Sequence, residues 1–319
     1  MKRIRRAAPA PNIDSGAPAG FLDRAEKLLA QLEQMLPQLP PPVDWAAGVA
    51  WRWRRSGGRG HAHGHLKAVT HLHRIRLSDL RGVERQKSLI EANTRQFIDG
   101  RAANNVLLTG ARGTGKSSLV KAVLNRFHRQ GLRLIEVDKQ DLLDLPEIVD
   151  LVSARPERFI LFCDDLSFEA SEPGYKALKV VLDGSVAAAS ENLLIYATSN
   201  RRHLMPEYMQ ENLETKYVGE EIHPGETVEE KISLSERFGL WISFYPFDQD
   251  GYLEIASHWL REFGCPETLH KDARQAAIQW ALMRGSRSGR VAWQFARDWA
   301  GRHAAGGTAP RHTASRSRR

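Results

Sequence analysis

The chain has 319 residues, 42% hydrophobic and 26% charged, with a formal net charge of +8 and a pI of about 9.6. That length suits one large or two medium domains with a sizeable core, and the composition is that of a soluble globular protein. No apolar run approaches the roughly 18 residues of a membrane-spanning helix. No apolar stretch follows the basic start "MKRIRRAAPAPN", which excludes a secretory signal, although its arginines leave a mitochondrial presequence open.

The two cysteines, Cys163 and Cys265, show neither metal spacing nor a disulfide framework, so a reducing, cytoplasmic compartment is expected. Excess positive charge gathers at the ends, at Lys2, Arg3, Arg5 and Arg6 and at Arg311, Arg316, Arg318 and Arg319. Such tails attract nucleic acid or are simply solvated.

In chain order, residues 1–20 are rich in Pro, Ala and Gly and read as a disordered basic start. "FLDRAEKLLAQLEQMLPQL" carries apolar residues at helical spacing and ends at prolines. The stretch 45–73 mixes Trp45, Trp51 and Trp53 with arginines, then places His61, His63, His65, His71 and His73. Alternating histidines suit a transition metal, and glycine-rich surroundings suit a surface loop. The tryptophans read as anchors to the main domain, with stacking on single-stranded nucleic acid as the alternative. From residue 79 the pattern becomes regular. Helix "SDLRGVERQKSLIEANTRQFIDG" precedes strand "NNVLLTG", helix "KSSLVKAVLNRFHRQG", strand "LRLIEVD", helix "LPEIVDLVSARP", strand "RFILFCDD", helix "GYKALKVVLDGSVAAAS" and strand "NLLIYATSN". Strands alternating with helices predict a parallel α/β sheet, and unbroken apolar runs predict strands covered on both faces. Beyond residue 246 only helices are expected: one over 248–264 with Tyr252, Ile255, Trp259 and Phe263 on a stripe, a second over about 267–284, and a third closing at Gly301.

The stretch "LLTGARGTGKSSLV" matches G-x-x-x-x-G-K-[ST] and lies between a predicted strand and a predicted helix, the context this motif needs. Gly110, Gly113 and Gly115 let the backbone of Gly110, Ala111, Arg112, Gly113, Thr114, Gly115, Lys116, Ser117 and Ser118 curl around phosphate oxygens at a helix N-terminus. Lys116 is expected to reach the β/γ-phosphates of ATP, and Ser117 to ligate Mg2+. Given this loop, Asp164 at the end of "RFILFCDD" is the expected magnesium acid, at the C-terminal end of a parallel strand. Asp165 takes the place of the water-activating acid. It is one methylene shorter than the usual glutamate, about 1.5 Å less reach. Glu169 is the rival for that role, or a cap on the next helix.

With these motifs in place, the chain resembles the AAA+ ATPases over residues 75–300, and within them a subgroup of bacterial ATP-binding proteins of unknown function. "LLIYATSN" looks like the sensor-1 strand ending at Asn200, which the resemblance implies positions the attacking water. "LSERFG" looks like the arginine-finger element with Arg237, against competitors Arg201 and Arg202. "GSRSGRVAWQF" looks like sensor 2, with Arg290 first and Arg287 second, and "LSDLRGVERQ" resembles the segment that packs near adenine around Gly82 and Val83. The resemblance implies a five-stranded parallel sheet between helices, a small helical lid, and a ring-forming homo-oligomer, hexameric by analogy.

The expected organisation is therefore a disordered start (1–20), an N-terminal helix with the Trp/Arg/His segment (21–74), an α/β nucleotide-binding domain (75–246) with an acidic insertion (206–235), a helical lid (247–301) and a basic tail (302–319). Three functions are compatible. The first is a Mg2+-dependent ATPase of slow turnover that remodels or loads a protein or nucleic-acid partner. The second is an ATP-dependent switch with little turnover. The third is a nucleic-acid loader or adaptor.

Overall fold

The computed structural model describes residues 21, 23–29, 42–55, 64–168, 172–183, 191–201, 216–218, 221–223, 234–266 and 270–303. The basic start, most of the basic tail, His61, His63, Glu169 and Arg202 lie outside these residues. The elements in chain order are β1 (Ala50–Arg55), β2 (Gly64–Ala68), α1 (Glu84–Ile98), β3 (Val106–Gly110), α2 (Lys116–Phe127), β4 (Leu132–Glu136), α3 (Leu145–Ser153), β5 (Arg158–Cys163), α4 (Pro173–Asp183) and β6 (Leu193–Ser199). They continue with β7 (Lys216–Val218), β8 (Glu221–His223), β9 (Leu240–Phe244), α5 (Gln249–Glu262), α6 (His270–Arg284) and α7 (Gly289–His303).

The chain divides into two units, Met1–Pro42 with Arg55–His65, and Val43–Arg54 with Leu66–Arg319. In the first, residues 21 and 23–29 are helical, within the predicted amphipathic segment.

The main sheet runs β2-β1-β4-β5-β6-β3-β9. All the pairings from β1 to β9 are parallel. It has seven strands rather than the expected five. β1 comes from the tryptophan-arginine stretch, where "WRWR" is itself a period-two signal. Trp51 and Trp53 point into one core, while Arg52 reaches across the register to Glu136 at 2.8 Å and Arg54 reaches Asp138 at 2.5 Å. The tryptophans therefore anchor the segment through a strand instead of a loop. Trp53 is 0% exposed and its indole N–H donates to Asp144 Oδ2 at 2.8 Å. Trp53→Ala should cost about 3–5 kcal/mol of stability, read as a shift in the urea midpoint. A change under 1 kcal/mol would mean that β1 is dispensable to the core.

Each central strand is buried on both faces, and successive residues feed opposite cores. Leu107, Phe159, Leu161 and Ile195 enter one, and Val106, Leu108, Ile160 and Phe162 the other. The edge strand β9, "LWISF", was not singled out by periodicity, because a short apolar run does not distinguish strand from buried helix. Its parallel pairing with β3, Val106 to Leu240 through Gly110 to Phe244, decides the matter.

The helices α5, α6 and α7 enclose a core of their own around Tyr252, Ile255, Ala277, Ala292 and Phe295. The predicted stripe is only partly inward: Tyr252 and Ile255 are buried, Trp259 is half-buried, and Phe263 is 37% exposed because the helix ends at Glu262. The last helix runs on past Gly301 to His303, with Arg302 paired to Asp298 one turn back. Within the acidic segment expected to be irregular, β7 and β8 form an antiparallel ladder, and Tyr217, Val218 and Ile222 are strand formers.

Candidate nucleotide site

The glycine-rich loop leaves the C-terminal end of β3 and enters α2, in the position the sequence predicts. Gly110 has φ +128°, and a Cβ there would lie 1.9 Å from the Phe244 carbonyl oxygen, so β9 leaves room for glycine alone. At Gly113, φ is +76° and a Cβ would meet Ser288 Oγ at 2.8 Å. The tip of the loop thus packs directly against the start of α7. Gly115 caps α2, and Thr114 closes the loop by donating to the Ala111 carbonyl at 2.8 Å.

Lys116 is buried, and its Nζ donates to the carbonyls of Gly110 at 2.7 Å and Ala111 at 2.8 Å, and to Asn200 Oδ1 at 2.9 Å. Burial pushes its pKa down to about 8; Asp165 and Asp164 oppose that shift, and Arg112 and Arg290 add to it. Ser117 Oγ donates to Asp164 Oδ1 at 2.6 Å. The Thr198 hydroxyl also donates to Asp164 Oδ1, at 2.6 Å, and accepts from the Asp165 backbone N–H at 2.9 Å. Asn200 completes the line: its amide N–H donates to Asp165 Oδ1 while its oxygen accepts from Lys116. Lys116, Ser117, Asp164, Asp165 and Asn200 are therefore one hydrogen-bonded cluster across the ends of β3, β5 and β6. Thr198 belongs to it and was not predicted. Its signal was only its place two residues before Asn200 on an apolar strand.

Asp165 has φ +54°, a left-handed backbone for a residue other than glycine. Asp and Asn occupy that region more readily than longer side chains. The conformation suits an aspartate at this position better than a longer side chain.

Arg290 lies in the first turn of α7, its Cβ 3.4 Å from where a Gly113 Cβ would sit. Arg287 lines a cavity of about 540 Å³ with Ala111, Arg112, Thr114, Phe247, Leu282 and Ser288. Ser118 sits half-buried in the first turn of α2. Val83 is 5% exposed at the start of α1, and a Cβ on the preceding Gly82 would meet Phe247 Cε1 at 3.1 Å. Phe247 packs against the core of the sheet and the core of the last three helices alike. Sequence reading placed a domain junction there without giving Phe247 a role.

Arg237 stands apart from this cluster. It precedes β9, whose first residue pairs with Val106 and whose last pairs with Gly110. Those five residues put Arg237 toward the opposite end of the sheet from the phosphate loop, about 17 Å along the strand. Its guanidinium bonds Asp183 at the end of α4. Arg201 is exposed, and its backbone N–H donates to Ser199 Oγ at 3.1 Å.

The Aeropyrum pernix ORC1 protein in complex with DNA is 16% identical over 70% of this chain and 60% of that chain, with a TM-score of 0.51. The chain thus spans about 60% of the length of that relative, and the likeness is one of fold. The replication initiator DnaA bound to AMPPCP and single-stranded DNA is 16% identical, over 73% of this chain and 66% of that one, with a TM-score of 0.47. The FIGL-1 AAA domain in complex with ADP is 19% identical, over 71% and 73%, with a TM-score of 0.46. No curated protein matches the sequence. Among the described residues no helix is long and apolar enough to cross a membrane. Residues 46–303 match the family described as "Protein of unknown function (DUF815)", and the chain belongs to that family.

Proposed function

We propose that the protein binds ATP with Mg2+ and hydrolyses it slowly, using the cycle to move its last three helices against a macromolecular partner. The observation that carries this reading is the continuous hydrogen-bonded line Ser117–Asp164–Thr198–Asp165–Asn200–Lys116 beside a glycine-rich loop at a helix N-terminus. A structural turn needs no such convergence of a lysine and two acids.

Lys116 and the loop N–H groups hold the phosphates. The Ser117 hydroxyl and the Asp164 carboxylate are hard oxygen donors that already share a proton contact, and that set fits Mg2+. When bound, the ion neutralises charge on the transferring phosphoryl group. Asp165 accepts the proton of the attacking water, and Asn200 orients both. Thr198 keeps Asp164 and Asp165 in register. Val83 and Phe247 border the base, and Arg290 faces the phosphates from α7. Arg237 acts on a neighbouring copy, because its position along β9 keeps it from its own phosphate loop. That arrangement favours a homo-oligomeric ring.

A Lys116→Ala chain is expected to lose about 10²- to 10³-fold in ATP turnover while keeping its fold, with turnover followed by phosphate release and fold by circular dichroism. Wild-type chain that releases no phosphate above background, yet binds ATP, would move the assignment to an ATP-dependent switch.

A further inference from the structure

Outside the nucleotide site, three metal-ligating side chains from two elements converge among the described residues: Asp79, His258 and Glu262. One ligand atom from each lies within 4.8 Å of the others. Asp79 ends a 3-10 turn, Leu77–Asp79, just ahead of α1. His258 and Glu262 are four residues apart on α5 and so share one face of that helix. We infer that this trio is a site for a divalent transition metal ion such as Zn2+, Mn2+ or Co2+, bridging the segment before α1 to α5.

The position of His258 Nε2 supports this most strongly. His258 is 5% exposed, and its Nε2 is a buried polar atom with no hydrogen-bond partner among the described residues. A buried, unsatisfied ring nitrogen is costly and calls for an explanation. The nearest carboxylate oxygen, Asp79 Oδ1, is 3.7 Å away, too far for a hydrogen bond. Two ligand atoms each about 2.1 Å from one ion at a tetrahedral angle lie about 3.4 Å apart. The observed separation is therefore closer to that of two metal ligands than to that of a hydrogen-bonded pair. Burial, with help from Arg81, holds the His258 pKa below its ordinary value against the opposing pull of Asp79 and Glu262. One imidazole with two carboxylates suits these ions, and three protein ligands leave a position for water.

A cation already bridges the two acids. The Arg76 guanidinium lies 3.1 Å from Asp79 Oδ1 and 3.0 Å from Glu262 Oε2, on a side chain that is 62% exposed. Arg76 leaves His258 unsatisfied and can swing into solvent, so metal entry exchanges one cation for another. The site is thus a competition between Arg76 and the ion. This sets it apart from a plain ion-pair cluster, in which Arg76 has no rival.

The test uses the full chain without nucleotide, carrying alanine at His61, His63, His65, His71 and His73 to silence the histidine-rich segment, and Co2+ as the probe. Equilibrium dialysis and the visible absorption of Co2+ are expected to report one ion per chain. His258→Ala and the exposed, fold-neutral Glu262→Gln should each weaken binding at least about tenfold, and Arg76→Ala should tighten it. Binding that is unchanged in Glu262→Gln, or no Co2+ uptake at millimolar concentration in the Arg76→Ala chain, would overturn the assignment. Neither readout depends on ATP turnover.

Discussion

Asp165→Asn is expected to lower ATP turnover by about 10²- to 10⁴-fold, the usual contribution of a positioned general base, with nucleotide binding retained. The amide keeps the size of the side chain and loses its negative charge. Asn200 bonds both Asp165 and Lys116, so the substitution acts where the proposed base meets the proposed phosphate-binding lysine. Single-turnover phosphate release at saturating ATP, beside a fluorescent-nucleotide binding curve, separates the two effects. Turnover that survives in Asp165→Asn but falls with Glu169→Gln would transfer the role to Glu169. The left-handed φ of Asp165 bears on its short reach. A misplacement of about 1 Å can cost 10²-fold in rate, and here the backbone turn, together with the Asn200 contact, places the shorter acid.

Arg237→Ala carries the larger expected effect, about 10³- to 10⁵-fold, if its guanidinium stabilises the transition state on a neighbouring subunit. Register makes this testable. The residue stands about 17 Å along the strand from its own phosphate loop, beyond the reach of one side chain. Mixing Arg237→Ala chains with Lys116→Ala chains should therefore restore turnover, since some interfaces pair an intact lysine with an intact arginine. Failure to restore, together with a wild-type rate per chain that does not depend on concentration, would rule out action between copies. In the isolated chain Arg237 bonds Asp183, so engaging a neighbour's phosphates requires breaking that pair.

The last three helices approach the glycine-rich loop closely at Gly113, beside the cavity lined by Ala111, Arg112 and Arg287. Ser288 and Arg290 crowd Gly113, and Phe247 sits against Gly82. A side chain added at Gly113 or Gly82 changes the contact between loop and helices. The inferred ion site at Asp79, His258 and Glu262 ties the segment before α1 to α5. Occupation by a metal ion instead of Arg76 exchanges a mobile cross-link for a rigid one.

The amino-acid sequence alone determined the glycine-rich loop between β3 and α2, because glycines at fixed offsets followed by Lys116 and Ser117 have a local cause: they shape six residues of backbone. It likewise determined the four inner strands, whose apolar runs need burial on both faces, and the helical stretch after residue 246, whose 3.6-residue period is legible within one element. Tertiary structure decided the rest, for reasons that are non-local. Trp51 and Trp53 became a strand because β4 offers a parallel edge with acids placed to meet Arg52 and Arg54. The run Leu240–Phe244 became a strand because β3 lies beside it. Thr198 joined the cluster, and Arg237 came to lie toward the other end of the sheet, through strand register, which a single sequence does not reveal. The approach of His258 to Asp79 spans 179 positions of chain, and only packing of α5 against the core brings an unsatisfied imidazole to a carboxylate.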